Sequence, residues 1–127
     1  MNIDRQTSTL GTFAIGDGAS IEVTQTHCID RAANDGGESL CHYEYDIYRY
    51  SDGKDALVAR SYSSHPSEAH FLRLESSGES RPLSSTDLEA PLIKAAIRHL
   101  RSIGKVELYW LDFQNTETGY SPVSYEA

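Results

Sequence analysis

The chain has 127 residues, 24% of them charged, and a formal net charge of −8, so we expect a single domain over residues 1–127 that buries its own core. The excess of acids argues against binding to nucleic acid or anionic lipid, since phosphate needs Lys and Arg, and it favours a basic protein partner. The N-terminal segment lacks the basic start and apolar run of a signal peptide, and no apolar stretch is long enough to cross a bilayer, so the sequence predicts a cytoplasmic protein that does not bind membranes.

The first two thirds of the chain have the pattern of β-strands. Alternating, β-branched and aromatic residues predict strands at about 10–15, 20–27, 41–50, 55–63 and 68–75. Residues 29–40 are polar and contain two adjacent glycines, which indicates a loop. Asp52-Gly53 lies between two strand-like runs and predicts a two-residue type I′ turn, which would pair Ser51 with Lys54.

The hydrophobic period changes near residue 86. Apolar residues then recur at steps of three and four up to Ile103, which predicts an amphipathic helix over about 87–103. Pro91 is tolerated best in the first turn, so a start nearer residue 90 is the alternative. A last strand is predicted at 106–113, with a polar tail from about 114 to 127. The sequence therefore predicts an α+β fold: a mainly antiparallel sheet of about six strands with the helix packed on one face.

The predicted turn also assigns residues to the two faces of the sheet. Ile47 would face Val58 and lie with Leu72 and Leu74 as the floor beneath the helix. Acids interleaved with aromatic residues follow the other face, as is typical of a half-exposed recognition surface. Tyrosine is also common in strands for its propensity alone, which is the competing explanation. The second face carries Glu44, Asp46, Tyr48, Tyr50 and Leu57.

Two cysteines, each beside a histidine, are the strongest candidates for metal or thiol chemistry. His27-Cys28 and Cys41-His42 could suggest zinc, but neighbouring residues of a strand point to opposite faces and cannot all converge. We expect two reduced thiols, with a disulfide that closes the 29–40 loop as the alternative. The sequence contains no recognisable phosphate-binding loop, nucleophile elbow or metalloprotease motif. We therefore expect no catalytic residue, no metal and no cofactor.

The size, the acidic balance and the run Tyr43-Glu44-Tyr45-Asp46-Ile47-Tyr48 resemble those of small bacterial immunity proteins, which neutralise toxic effectors, often nucleases, by covering their active sites. The resemblance implies a non-enzymatic protein-binding module whose acids mimic phosphate for a basic toxin or effector domain. Alternatives are a secretion chaperone of similar acidic character, or a small enzyme or ligand-binding domain with an unrecognised pocket. The expected partner-binding residues are Glu44, Asp46, Tyr48, Tyr50, Asp30, Asp35 and Glu38.

Overall fold

A computed structural model of the chain describes residues 2–16, 19–33 and 39–123. The predicted α+β class is confirmed, but the sheet has eight strands, more than the six expected. A single-turn 3₁₀ segment, Ser85–Glu89, precedes the helix. The elements are β1 (Asn2–Gly16), β2 (Ala19–Ala33), β3 (Ser39–Ser51), β4 (Asp55–Tyr62), β5 (Glu68–Ser76), β6 (Glu79–Arg81), α1 (Pro91–Ser102), β7 (Glu107–Leu111) and β8 (Tyr120–Pro122).

All the strands belong to one sheet, in the order β1-β2-β3-β4-β5-β7-β8, and β6 pairs with one end of β5. Every pair is antiparallel except β5 with β7. Antiparallel neighbours need only a turn, whereas a parallel pair needs a crossover, and α1 lies in the connection between β5 and β7. Within the described ranges, no helix combines the length and apolarity needed to cross a bilayer.

The turn between β3 and β4 lies one residue later than predicted. The Asp52 N–H donates to the Asp55 carbonyl at 3.1 Å, so Gly53 and Lys54 are the two central residues. Gly53 has a φ of 90°, and Lys54 is not among the positive-φ residues, which rules out a type I′ turn. The Asp52 carboxylate stabilises this turn by accepting the N–H groups of Lys54 and Asp55 at 2.9 and 2.7 Å. The predicted pairing is therefore wrong by two residues, and Ser51 pairs with Ala56.

The helix begins at Pro91, in agreement with the later of the two predicted starts. Proline suits this first helical position because its missing N–H would have no partner within the helix. The apolar face of α1 packs on the sheet and forms one core with it. The buried helix residues are Leu92, Ile93, Ala95, Ala96, Ile97 and Leu100.

The helix covers the opposite face of the sheet from the one predicted. Tyr48 and Tyr50 are 3% and 0% exposed and belong to the core, together with Leu57 and Phe71. Ile47, predicted as part of the floor, lies on the other face and is only half-buried. The shift of two residues in register left the residues of β3 and β4 on the faces predicted for them, so for these strands the error is only in which face the helix covers. Leu74 of β5, predicted beside Ile47 and Val58, instead pairs with Leu57 and lies in the core beneath the helix.

Part of the segment predicted as a polar tail is a strand. Tyr120–Pro122 forms β8 and pairs antiparallel with β7. The next residue, Val123, is 6% exposed and donates its N–H to the Leu108 carbonyl at 2.8 Å. This return strand covers the edge that β7 would otherwise leave open.

We predict that Leu100→Ala destabilises the protein by about 2–5 kcal/mol, because Leu100 is fully buried at the centre of the helix–sheet contact. The matched control is Ile103→Ala, since Ile103 follows the same helix but is 46% exposed, and its effect should stay within about 1 kcal/mol. Urea denaturation followed by circular dichroism measures both. Equal losses for the two variants would contradict the assigned helix face.

Candidate functional site

The helix-facing residues of β3 change from buried to exposed along the strand. Tyr50 and Tyr48 lie in the core, while the side chains of Asp46 and Glu44 are 18% and 41% exposed. Alternation places all four on one face, so burial depends on how far each lies from α1. The helix therefore covers one end of this face and leaves the acidic end open.

A histidine of the neighbouring strand lies between the two acids. His27 of β2 pairs directly with Asp46 of β3. Its ring nitrogens Nδ1 and Nε2 lie 2.8 Å from Asp46 Oδ1 and 2.9 Å from Glu44 Oε2. Carboxylates only accept hydrogen bonds, so both contacts form together when both ring nitrogens carry a proton, that is, in the imidazolium. We call His27, Glu44 and Asp46 the His27 cluster.

The electrostatics of the cluster favour this charged ring. The hydrogen bond to Asp46 raises the pKa of His27 above 6.5, and the charges of Asp46 and Glu44 add to the effect. Burial opposes it only in part, since the His27 side chain is 38% exposed. With His27 protonated, two carboxylates and one imidazolium leave the cluster with a net negative charge.

Lys105 lies next to Asp46, just after the end of α1. It is 8% exposed, and its Nζ donates to the Pro66 carbonyl at 2.8 Å and lies 5.9 Å from the Tyr48 ring centroid. Burial lowers the pKa of Lys105, while the charge of Asp46 opposes that shift. The positive charge of Lys105 therefore partly offsets the negative charge of Asp46. Glu44 is the more exposed carboxylate of the cluster.

A second histidine joins the helix to the sheet. His99 of α1 lies 5.5 Å from the Tyr50 ring and 6.3 Å from the Tyr48 ring, and its Nδ1 lies 2.8 Å from the Tyr50 hydroxyl. Burial lowers the pKa of His99, and burial also raises the pKa of Tyr48 to about 12. These three side chains are structural: they fix the position of β3 beneath the helix.

The structure brings together only part of the predicted site. Asp30 pairs with Tyr43 on the face away from the helix, so it does not share a surface with Glu44 and Asp46. Tyr48 and Tyr50 were expected on a half-exposed surface, and that expectation is wrong because both are buried. Two further predicted residues, Asp35 and Glu38, lie outside the described residues.

Cys28 is a buried free thiol, as expected. Its backbone partner is Tyr45, while Cys41 pairs with Ala32, four residues further along β2. That offset corresponds to about 13 Å along a strand, too far for a disulfide. In the part of the chain that the structure describes, no group of three or more His, Cys, Asp or Glu side chains could hold a metal ion.

The face of the sheet away from the helix carries aromatic and basic residues. The Arg60 guanidinium lies 4.8 Å from the Tyr62 ring centroid, and Tyr62 contacts Tyr45 edge-on at 5.7 Å. Beside them, His70 packs against the ring of Tyr120 at 4.7 Å. From the sequence, His27 is considered only as a metal ligand, so its contact with Glu44 and Asp46 on one face is missed, and so is this aromatic group on the other.

Among the described residues, the larger cleft of two lies apart from the His27 cluster, and the one beside Glu44 is small. One of about 370 Å³ lies between the start of α1 and the β3–β4 turn, with Asp55, Arg81 and Asp87 among its lining residues. A second, of about 170 Å³, includes Glu44 and Tyr43. Ligand sites commonly hold about 300–1,000 Å³, so the surface beside Glu44 is better suited to a side chain than to a whole metabolite.

Comparison with known protein families finds no matching family model. No characterised protein shows significant similarity to the chain, and no solved structure matches its fold significantly. The function therefore has to be argued from the site.

We predict that the two histidines titrate on opposite sides of 6.5. The His27 pKa should lie above this value because two carboxylates hold its proton, and the His99 pKa below it because of burial. NMR titration of the histidine Cε1 protons measures both, with His27→Gln and His99→Gln used for assignment. A His27 pKa at or below 6.5 would show that the cluster does not form in solution.

The raised pKa also predicts how the stability of the protein depends on pH. The folded state binds the His27 proton more tightly than the unfolded chain, so this stabilisation is fully present below about pH 6.5 and is lost as the pH rises through the raised folded value. Relative to His27→Gln, the wild-type protein should therefore have its largest advantage at about pH 5.5 and lose it at alkaline pH. Urea denaturation of both proteins across this pH range measures their difference in stability. A difference that grew with rising pH would contradict the prediction.

Proposed function

We propose that this protein is a non-enzymatic binding module whose acidic sheet end binds a basic protein, as an immunity protein binds and neutralises a toxin or nuclease effector domain. The observation that carries the proposal is the pair Glu44 and Asp46, whose carboxylates both lie within hydrogen-bond distance of the His27 ring at a surface that the helix leaves open. A partner's lysine or arginine would meet two carboxylates suited to accept it.

The acids are fixed on a rigid support, which favours binding. Glu44 and Asp46 continue the same strand as Tyr48 and Tyr50, and those two side chains are locked in the core. The Glu44 carbonyl also accepts the Ser63 N–H at 2.9 Å, which holds the strand to the chain beyond β4. A partner therefore has less conformational freedom to remove when it orders these carboxylates.

Charge and shape together favour a protein partner. A net charge of −8 accelerates encounter with a basic domain through long-range attraction. The surface of the cluster is a strand face with a cleft of only about 170 Å³ beside it, whereas small ligands bind in larger concave sites. A nuclease effector fits this description, because its phosphate-binding cleft is rich in Lys and Arg.

We predict that Glu44→Lys combined with Asp46→Lys weakens binding of the partner by about 100-fold or more, because both attractions become repulsions. Affinity capture from the native host with the wild-type protein, followed by mass spectrometry, identifies the partner, and calorimetry with that purified protein measures the loss. Circular dichroism should show a folded variant, since both residues lie at least partly on the surface.

The matched control is Glu79→Lys combined with Glu117→Lys. It changes the net charge by the same amount at two exposed acids of β6 and of the loop between β7 and β8. This control should keep its affinity within about threefold at physiological salt, since distant charges are screened. Equal losses in both double variants would show that net charge, and not the His27 cluster, determines binding. Unchanged binding by the first variant would exclude the cluster as the site.

A further inference from the structure

We propose that His27 occupies the place of the partner's cation in the free protein: a basic side chain of the partner takes the place of the Nε2 proton at Glu44, so that binding releases a proton. The inference rests on the proposed function, and it goes further by naming the chemistry of the contact. It also makes affinity depend on pH, with tighter binding as the pH rises.

The first step is that the cation position of the cluster is already occupied. Both ring nitrogens of His27 point at carboxylates, at 2.8 Å to Asp46 and 2.9 Å to Glu44. A ring that donates from both nitrogens carries a positive charge. A lysine or arginine that approached the same two carboxylates would meet this like charge at contact distance, which disfavours binding.

The second step is the loss of one proton, which removes both the positive charge of the ring and its hydrogen bond to one of the two carboxylates. Neutral imidazole keeps one N–H, so it can donate to one carboxylate only. Asp46 lies directly opposite His27 in the strand pair and is the less exposed acid, so we assign the remaining N–H to Asp46. The Nε2 proton leaves for the solvent buffer, and Glu44 then accepts the partner's ammonium or guanidinium group in its place.

The other described groups around the cluster come from β1, β4 and the end of α1. From β1, Gln6 pairs with His27 and Asp4 pairs with Ile29, and from β4, Ser61 pairs with Asp46. Lys105 faces Asp46 from the end of α1, but its Nζ is bonded to the Pro66 carbonyl. His99 of α1 is separated from the cluster by Tyr48, whose own pKa of about 12 keeps it neutral. Of the two histidines on this side of the sheet, His27 is the one whose pKa is raised, and histidine is the side chain that ordinarily changes charge near neutral pH.

The test uses a hexa-arginine peptide as the basic probe, with the full-length protein at constant ionic strength. Calorimetry in two buffers of different ionisation enthalpy measures the protons released, and repeating it from about pH 6 to pH 8 measures the change in affinity. We expect release of up to one proton and an affinity that rises with pH, by up to about tenfold per unit below the pKa of His27. His27→Gln should bind without proton release and with an affinity that hardly changes over this range.

Glu44→Gln combined with Asp46→Asn is the second variant, and it separates the two proposals. If the peptide binds the wild-type protein, fails to bind this variant, and releases no proton, the exchange is overturned while the acidic site stands. Equal affinity of the peptide for this variant and for the wild type would also overturn the exchange. So would a peptide that binds neither protein. The partner that the wild-type protein captures, and its affinity for Glu44→Lys combined with Asp46→Lys, then decide independently whether the acidic end binds a protein.

Discussion

The contact between α1 and the tyrosine end of β3 determines the rest of the structure. Tyr48 and Tyr50 lie beneath the helix, and His99 bonds the Tyr50 hydroxyl from above. Because a strand alternates strictly, fixing these two residues on the helix side also fixes Asp46 and Glu44 on that side. The acids cannot turn away from the helix face, and only the limited reach of α1 leaves them exposed. The candidate site is therefore a consequence of where the helix ends.

Several features of this arrangement are predictable from the sequence because they are local. The helix is marked by its apolar period and by Pro91, and the common face of Glu44 and Asp46 follows from alternation alone. The turn was placed correctly to within one residue, since Gly53 supplies the positive φ that it needs. Alternation survives an error of two residues in register, which is why the β3 and β4 residues grouped on each face were right, whereas the paired residues and the placement of Leu74 were not.

The remaining features depend on contacts between distant parts of the chain. The helix could cover either face of the β3–β4 hairpin, because each face combines apolar residues with charged ones: Glu44, Asp46 and Asp55 on one, Arg49 and Arg60 on the other. The pairing of His27 with Asp46 depends on the register of β2 against β3, and the sequence Asp35-Gly36-Gly37 between those strands allows more than one turn, each with a different register. Burial also changes along β3, from Tyr50 in the core to Glu44 at the surface, and the overall composition of a face does not predict this change.

The surroundings of the two histidines on the helix side explain why His99 is structural and His27 belongs to the candidate site. His99 is held neutral by burial among aromatic rings, so its protonation opposes folding. Two carboxylates raise the pKa of His27 at a partly exposed position, so its proton stabilises the fold and can still exchange with solvent. A carboxylate pair without a counter-charge would repel itself in the free protein, and the imidazolium removes that repulsion with a group that can later leave. Under the proposed exchange, a partner's cation would have to replace the stability that this ion contributes in the free protein, which a cationic side chain at that position would do better than diffuse positive charge.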